Sequence, residues 1–123
     1  MVAGIGIDLC GVERMKKALQ SEHFKERIFS PEEISYCESK GRKRFESYAA
    51  GFAAREAFCK ASGKTLSAVM FGGNFTLTRN NDGVPSVKLS GNLAMPGAKI
   101  FLSLTHEGGF ACAVVVIDKE GEY

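Results

Sequence analysis

The segment that most constrains the fold is a proline-free, alanine-rich stretch over residues 44–61, which is followed by Gly63. Alanine favours helix, and a glycine just beyond the last periodic residue is a typical helix end. Aromatic and alanine side chains recur at helical spacing along one band, while Phe58 points to the opposite side. The stretch therefore predicts a long helix with more than one buried face, so other elements must pack around it.

Alternating apolar residues on either side of this helix predict β-strands. Residues 2–9 alternate between aliphatic side chains and the set Gly4, Gly6 and Asp8, which would share one face of a strand. Beyond the helix the sequence predicts two hairpins, the first with the turn "NNDG" and the second with the link "HEGG". The last strand, "FACAVVVID", is apolar enough for burial on both faces.

Two shorter helices are predicted before residue 44. The first covers residues 12–20 and is followed by irregular structure. The second begins at "SPEE", where Ser30 suits the N-cap and Glu33 a capping box, and it should end near Gly41. These elements predict an α+β fold in which an antiparallel sheet packs against the long helix. A chain of 123 residues suits a single domain over 1–123.

Composition excludes several classes of protein. Hydrophobic residues at 45% and charged residues at 24% are ordinary for a soluble domain, and no apolar run approaches the ~20 residues that span a bilayer. The N-terminal strand has no basic leader before it, so no secretory signal is predicted. The four cysteines are widely spaced and form no CxxC pair, which favours reduced thiols and a cytoplasmic location.

The net charge of +2 is unevenly distributed along the chain. Residues 1–64 contain 12 basic against 9 acidic side chains, and the basic ones concentrate in "ERMKK" and "KGRKR". Such clusters are usually solvated surface, and the alternative is a docking surface for an acidic protein. Nucleic acid is not expected as a partner, because the clusters lack the interleaved aromatic residues of a base-stacking platform.

Glu56 lies within the apolar band of the long helix, between Phe52 and Cys59. A lone ionised carboxylate buried there would cost several kcal/mol, so Glu56 needs a cation, a hydrogen-bond partner or a proton. Lys60 follows four residues later, in the favourable order for an intrahelical ion pair. That pair is the simplest explanation for Glu56.

Asp8 presents the same problem on the first strand, where it shares a face with two glycines. The glycines either permit close packing of another backbone or leave space for a ligand beside the carboxylate. Two carboxylates that each need a cation could share one, and Mg²⁺ is typically held by carboxylates, waters and substrate phosphates. Asp8 and Glu56 are therefore candidate Mg²⁺ ligands, with Lys60 and Arg55 facing the phosphates.

Three segments together resemble one family: "GIGIDLCGVERM" at 4–15, "KERIFSPEEISYC" through "GFAAREAFCKA" within 25–61, and "LSLTHEGGFACAVVVID" at 102–118. They are similar to the holo-acyl-carrier-protein synthases, the small bacterial 4'-phosphopantetheinyl transferases. The resemblance spans nearly the whole chain. It implies the fold of that family and a homotrimer whose active sites lie between neighbouring subunits.

The resemblance also implies a reaction that supports fatty acid biosynthesis. The 4'-phosphopantetheine arm of coenzyme A would move to a serine of apo-acyl carrier protein, leaving adenosine 3',5'-bisphosphate. Asp8 and Glu56 match the metal ligands of the family, which would hold Mg²⁺ on the coenzyme A pyrophosphate, and Lys60 matches a phosphate-contacting lysine.

Further site residues are implied by the same resemblance. Residues expected to contact coenzyme A, beside Lys60, are Arg55, Gly63, Lys64, Ser103, Thr105 and His106. Residues expected to meet the acidic recognition helix of acyl carrier protein are Arg14, Lys17 and Lys25.

The chain departs from the family pattern in places, and other functions can be formulated. Arg55 replaces the usual lysine, "SGKT" after Lys60 replaces a glycine-rich loop, and "GVP" at 83–85 replaces the common GKP. A noncatalytic trimeric module that binds a nucleotide or an acidic protein would explain the basic clusters. That module would not explain why two carboxylates lie on apolar or glycine-lined faces. A third possibility is a Mg²⁺ phosphohydrolase, which would use water as the acceptor and would need no basic docking surface.

Overall fold

The computed structural model describes residues 1–120, which form an α+β fold of five helices and five strands. The strands are β1 (Val2–Gly11), β2 (Phe75–Arg79), β3 (Pro85–Leu89), β4 (Ala98–Glu107) and β5 (Phe110–Lys119). The helices are α1 (Val12–Ala18), α2 (Glu22–Ile28), α3 (Pro31–Glu38), α4 (Arg44–Ser62) and α5 (Leu66–Met70). Short 3₁₀ turns at Gly41–Lys43 and Gly91–Leu93 complete the pattern.

The long helix predicted over residues 44–61 is confirmed as α4. It ends at Ser62 and is capped by Gly63, whose φ of +72° lies in the left-handed region and whose N–H donates to the carbonyl of Cys59 at 2.9 Å. Helix α4 is buried on several sides, since Tyr48, Ala53 and Phe58 are all 1% exposed or less. This agrees with the expectation that it packs on more than one face.

The shorter helices differ from the prediction in detail. The N-cap of α3 is confirmed, because the Ser30 hydroxyl accepts a hydrogen bond from the Glu33 N–H at 3.2 Å. The capping box is wrong, since the Glu33 carboxylate turns into the protein interior and does not return to Ser30. The segment expected to be irregular after residue 20 contains α2, and α3 ends at Glu38, before Gly41.

The antiparallel sheet has the strand order β1-β5-β4, and β2 and β3 pair separately as a hairpin. Asp8 on β1 pairs with Ala113 on β5, which also pairs with Leu104 on β4. Strand β5 is therefore central, as its apolar sequence predicts, but only one face of it is fully buried. On that face, Val115 and Ile117 lie against α4, while Val114 on the other face is half-buried.

Strand β1 turns its glycine face, and not its aliphatic face, towards α4. Ile5, Ile7 and Leu9 are 60 to 66% exposed, whereas Gly6 is buried beneath the helix backbone. Of the two explanations for the glycines, close packing of another backbone is therefore confirmed. Among the described residues, no helix combines the length and apolar character needed to cross a membrane.

Candidate functional site

Asp8 and Glu56, which are far apart in the sequence, meet where β1 passes under α4. The two carboxyl groups lie close enough to interact, because Asp8 is among the groups that raise the pKa of Glu56. The Lys60 ammonium lies one turn further along α4, where it donates to the carbonyl of Ile7 at 2.9 Å and lies 3.3 Å from Asp8 Oδ1. The structure thus brings together the three residues that the sequence identified first.

The electrostatics of this group favour the addition of positive charge. The pKa of Glu56 is raised, first by partial burial and then by the charge of Asp8. Lys60 and Arg14 act in the opposite direction, but they do not cancel the effect. In the absence of a cation, the two carboxylates therefore repel each other, and one way to relieve this is to share a proton.

The donor set suits Mg²⁺ better than a transition metal. Asp8 and Glu56 offer hard carboxylate oxygens, and the described residues contain no group of three or more His, Cys, Asp or Glu side chains arranged for a metal ion. Mg²⁺ is commonly held by one or two carboxylates, with waters and substrate phosphates completing its octahedron. The pair therefore fits a metal that is bound together with a phosphate substrate.

Lys60 is placed to meet such a phosphate. Its side chain is 57% exposed, whereas that of Asp8 is 12% exposed. The ammonium therefore lies at the rim of the site, where a phosphate oxygen can replace one of its present contacts. This position is consistent with the role that the sequence resemblance implies for Lys60.

Arg55 does not belong to this site, so the expectation that it faces phosphate is wrong. Its guanidinium is 1% exposed and makes a bidentate pair with the Glu33 carboxylate, with both N–O distances at 2.8 Å. It also donates to the carbonyls of Gly51 and Phe75, each at 3.1 Å. Arginine can form this fork where lysine cannot, so Arg55 serves the interior of the protein.

Sequence reasoning also missed the partner of Arg55. Glu33 is 4% exposed and accepts a third hydrogen bond from the Leu77 N–H at 2.9 Å. The signal that assigned it to a helix cap was local, whereas its partners lie on α4 and β2, far along the chain. Only the observation that Arg55 also falls in an otherwise apolar helix segment could have suggested a buried pair.

His106 and Thr105 line a basic cavity of about 230 Å³ at the other end of α4. Lys40, Lys43 and Arg79 contribute the positive charge, and both lysines belong to the cluster "KGRKR". His106 Nδ1 lies 3.4 Å from the Glu46 carboxylate. The arrangement suits an anionic ligand that also carries a flat, partly apolar group.

An aromatic side chain organises this cavity. The guanidinium of Arg79 stacks on the ring of Tyr36 at 4.2 Å, and the ammonium of Lys40 lies 4.7 Å from the same ring. These contacts hold two cations at the cavity wall, where they can bind an anion. Neither Tyr36 nor Arg79 was identified from the sequence, because they lie on different elements and match no motif.

The carboxylate pair and the basic cavity are separate in one chain. Glu46 contacts His106 and Glu56 contacts Asp8, and these two glutamates are ten residues apart on α4, which corresponds to roughly 15 Å along the helix axis. Ser103 lies on the exposed face of the sheet, away from α4. The residues expected to contact coenzyme A are thus divided between at least two surfaces.

The segment that follows α4 has its own internal contacts. The Lys64 N–H donates to the Ser62 hydroxyl at 3.2 Å, and its ammonium donates to the carbonyl of Asn92 at 3.3 Å. Gly63 is exposed. Both residues follow Lys60 by no more than four positions and lie at the end of α4 opposite the basic cavity.

The basic residues of the first helices do not form one cluster. Arg14 and Lys17 are exposed on α1, and Arg14 is close enough to Glu56 to lower its pKa. Lys25 lies on α2, is 17% exposed, and pairs with Glu22 at 3.2 Å. Arg14 therefore borders the carboxylate pair, while Lys25 lines a different groove.

The four cysteines are free thiols. Burial raises the pKa of Cys10 to about 11 and that of Cys37 to about 12, so both remain protonated at neutral pH. The pKa of Cys59 is raised as well, first by burial and then by the charge of Glu56. None of these three thiols is set up as a nucleophile.

Comparison with known proteins identifies what this arrangement is similar to. The model of the 4'-phosphopantetheinyl transferase superfamily matches residues 4–115. The chain is 33% identical over 126 residues to the holo-[acyl-carrier-protein] synthase of Geobacter sulfurreducens, covering 97% of this chain and 99% of that protein. It is 38% identical over 123 residues to the synthase of Treponema denticola, covering 96% and 99%.

Solved structures give the same result. The holo-(acyl-carrier-protein) synthase of Bacillus anthracis, in complex with CoA (3',5'-ADP), matches with a TM-score of 0.82 at 30% identity, covering 98% of this chain and 99% of that one. The synthase of Helicobacter pylori in complex with coenzyme A matches with a TM-score of 0.74 at 31% identity, covering 93% and 99%. The similarity therefore extends over the whole described fold.

Proposed function

The chain belongs to the 4'-phosphopantetheinyl transferase superfamily, and on this basis we propose that it transfers 4'-phosphopantetheine from coenzyme A to a serine of apo-acyl carrier protein. The products are holo-acyl carrier protein and adenosine 3',5'-bisphosphate, and the reaction supports fatty acid biosynthesis. Relatives named as holo-[acyl-carrier-protein] synthases, aligned over nearly their full length, support this reaction.

The observation that carries the proposal is the convergence of Asp8, Glu56 and Lys60. Asp8 and Glu56 would hold Mg²⁺, which when bound neutralises charge on the transferring and leaving phosphates. Lys60 donates to a phosphate oxygen from the rim and so stabilises the charge that develops as the pyrophosphate bond breaks. Together the three residues orient the phosphate for in-line attack by the carrier serine.

The basic cavity supports binding of the nucleotide half of coenzyme A. Lys40, Lys43 and Arg79 supply charge for a phosphate, and Thr105 and His106 supply polar groups at the strand end. Tyr36, already stacked against Arg79, adds an aromatic surface for a flat base. We also retain three proposed contacts with coenzyme A. Ser103 is one, and Gly63 and Lys64 are the other two, which would lie near the pyrophosphate.

A homotrimer with shared sites would unite the two surfaces. The exposed aliphatic face of the sheet, with Ile5, Ile7, Leu9 and Phe101 all more than half exposed, is larger than isolated surface hydrophobics would explain. Neighbouring subunits that cover this face could place the basic cavity of one chain beside the carboxylate pair of another. Analytical ultracentrifugation of the protein tests this state directly.

The carrier protein would dock on the exposed basic side of α1. Arg14 lies near the carboxylate pair and Lys17 is exposed on the same helix, so an acidic helix bound there would bring its adjacent serine to the phosphate. Lys25 contributes a weaker contact, because it is already paired with Glu22. The proposal further takes residues 1–123 as one domain that acts in the cytoplasm.

One experiment tests the reaction. The protein is incubated with apo-acyl carrier protein, coenzyme A and Mg²⁺, and the carrier is then weighed intact by mass spectrometry. We expect a mass increase of one phosphopantetheine, which chelation of the metal or an Asp8→Ala substitution removes. Coenzyme A binding without any change in carrier mass would refute transfer and favour a noncatalytic binding module, and hydrolysed coenzyme A would indicate a phosphohydrolase.

A further inference from the structure

Two glycines of β1 lie in direct contact with the backbone of α4. A Cβ atom added to Gly6 would overlap the carbonyl oxygen of Ala57 and lie 2.9 Å from its carbonyl carbon. A Cβ atom added to Gly4 would overlap the carbonyl oxygen of Ala61 in the same way, again 2.9 Å from the carbonyl carbon. No side chain other than hydrogen fits at either position while α4 stays where it is.

The requirement for glycine at these positions concerns space and not backbone conformation. The described glycines that adopt positive φ lie elsewhere, and Gly4 and Gly6 are both within strand β1. Gly11, at the end of the same strand, has room, since an added Cβ would come no closer than 3.6 Å to the Arg14 side chain. Gly11 therefore provides a matched position where alanine is sterically harmless.

Each close contact is made by the residue immediately after a site residue. Ala57 follows Glu56, and Ala61 follows Lys60. Asp8 lies two residues beyond Gly6 on the same face of β1. The two glycines thus determine how closely the helix that carries Glu56 and Lys60 approaches the strand that carries Asp8.

We propose that Gly6 and Gly4 are positioning residues: Gly6 sets the separation between the carboxylates of Asp8 and Glu56, and Gly4 sets the reach of Lys60 to the phosphate. This inference rests on the proposed metal site. Relieving the overlap to an ordinary carbon contact of about 3.5 Å requires a shift of α4 of roughly 1 Å or more. Such a shift exceeds the tolerance of about 0.5 Å within which a binding constellation works.

The two glycines contact overlapping parts of α4: a Cβ atom on Gly6 would meet Ala57 and also lie 2.9 Å from the Ala61 nitrogen, whereas one on Gly4 would meet Ala61 alone. Ala57 lies inside α4 and is fully buried, so strain at Gly6 displaces the helix near Glu56. Ala61 lies in the last turn, because α4 ends at Ser62, and this turn can fray to absorb the strain. Alanine at position 4 is therefore tolerated by the fold and moves Lys60 more than Glu56.

The test compares Gly6→Ala, Gly4→Ala and the control Gly11→Ala. Mn²⁺ binding to the protein alone is measured by electron paramagnetic resonance of the free ion, and KM for coenzyme A is measured separately in the transfer reaction. We expect Gly6→Ala to weaken Mn²⁺ binding by ~10-fold or more, as disturbance of ligand support commonly does. We expect Gly4→Ala to raise KM for coenzyme A with little change in Mn²⁺ affinity, and Gly11→Ala to change neither.

Several outcomes would overturn the inference. One is a folded Gly6→Ala protein, verified by circular dichroism, that binds Mn²⁺ like the unsubstituted protein. Another is a parallel loss of metal and coenzyme binding in the Gly4 variant, which would indicate general destabilisation. If Gly6→Ala does not fold, Gly4→Ala alone tests the inference: a raised KM for coenzyme A with unchanged Mn²⁺ affinity supports it, and any other result refutes it. An unsubstituted protein that fails to bind Mn²⁺ refutes the metal site itself, and the inference with it.

Discussion

The buried pair of Glu33 and Arg55 gives a quantitative prediction for stability. The perturbation is Arg55→Met, which keeps a long apolar side chain between the rings of Phe29 and Phe75 but removes the guanidinium, now 5.1 and 4.9 Å from those ring centres. The Glu33 carboxylate, 4% exposed, would keep only the hydrogen bond from the Leu77 N–H. An uncompensated buried charge of this kind costs about 3–5 kcal/mol.

The double variant Glu33→Met with Arg55→Met should cost less than Arg55→Met alone. Replacing a buried ion pair by apolar residues of similar volume is often neutral, and it also removes the Arg55 Nε, which is buried with no hydrogen-bond partner. The Leu77 N–H loses its acceptor, which costs about 1–3 kcal/mol. We therefore expect a net loss of about 1–3 kcal/mol and a large favourable coupling between the two positions.

Urea denaturation of the four proteins in this double-mutant cycle measures the coupling. The pair of Lys25 and Glu22, whose glutamate is 68% exposed, is the control, since Lys25→Met should change the free energy of unfolding by less than about 1 kcal/mol. If the loss of unfolding free energy in the double variant equals the sum of the losses in the two single variants, the two residues do not depend on each other and the account of a buried pair is refuted. The folded double variant should also keep its KM for coenzyme A, because Arg55 faces away from the carboxylate pair.

Three further substitutions test the site and the proposed assembly. Glu56→Gln should abolish transfer yet raise the free energy of unfolding of the metal-free protein by up to about 1 kcal/mol at neutral pH, measured in urea, because the repulsion from Asp8 is removed. Since the raised pKa of Glu56 means that the folded state holds its proton above the ordinary value of 4.5, this gain should vanish below that pH and grow as the pH rises. Arg14→Glu should raise KM for the carrier protein several-fold with KM for coenzyme A little changed, and the reverse pattern would place the docking surface elsewhere. Ile7→Asp should shift the sedimentation coefficient to that of a monomer and lower transfer, and an unchanged oligomer would exclude this face from the interface.

The elements that the sequence predicted well are those fixed by local signals. The bounds of α4 follow from alanine content and from a glycine that can adopt positive φ, and the start of α3 follows from the Ser30 cap. The strands follow from alternation and from turn residues. In each case the interactions that decide the structure lie within a few residues along the chain.

The features that the sequence did not predict depend on contacts between distant segments. Glu33 matches a capping box, yet its carboxylate is recruited by Arg55 and by the backbone of β2. The same contact removes Arg55 from the phosphate site, where its helical position next to Glu56 had suggested a role. The basic cavity likewise draws Tyr36 and Arg79 from two elements, so no local pattern could indicate it.

The first strand illustrates why alternation alone does not settle orientation. The alternation of residues assigns the aliphatic side chains to one face of β1 and the glycines to the other. From hydrophobicity alone, the aliphatic face would be expected to pack against α4. The structure does the opposite, because only the glycine face admits the α4 backbone closely enough to bring Asp8 to Glu56. The aliphatic face, with Ile5, Ile7 and Leu9, is then left exposed. In the proposed homotrimer a neighbouring subunit would cover this face, so that one strand would link the geometry of the site on one side with the assembly on the other.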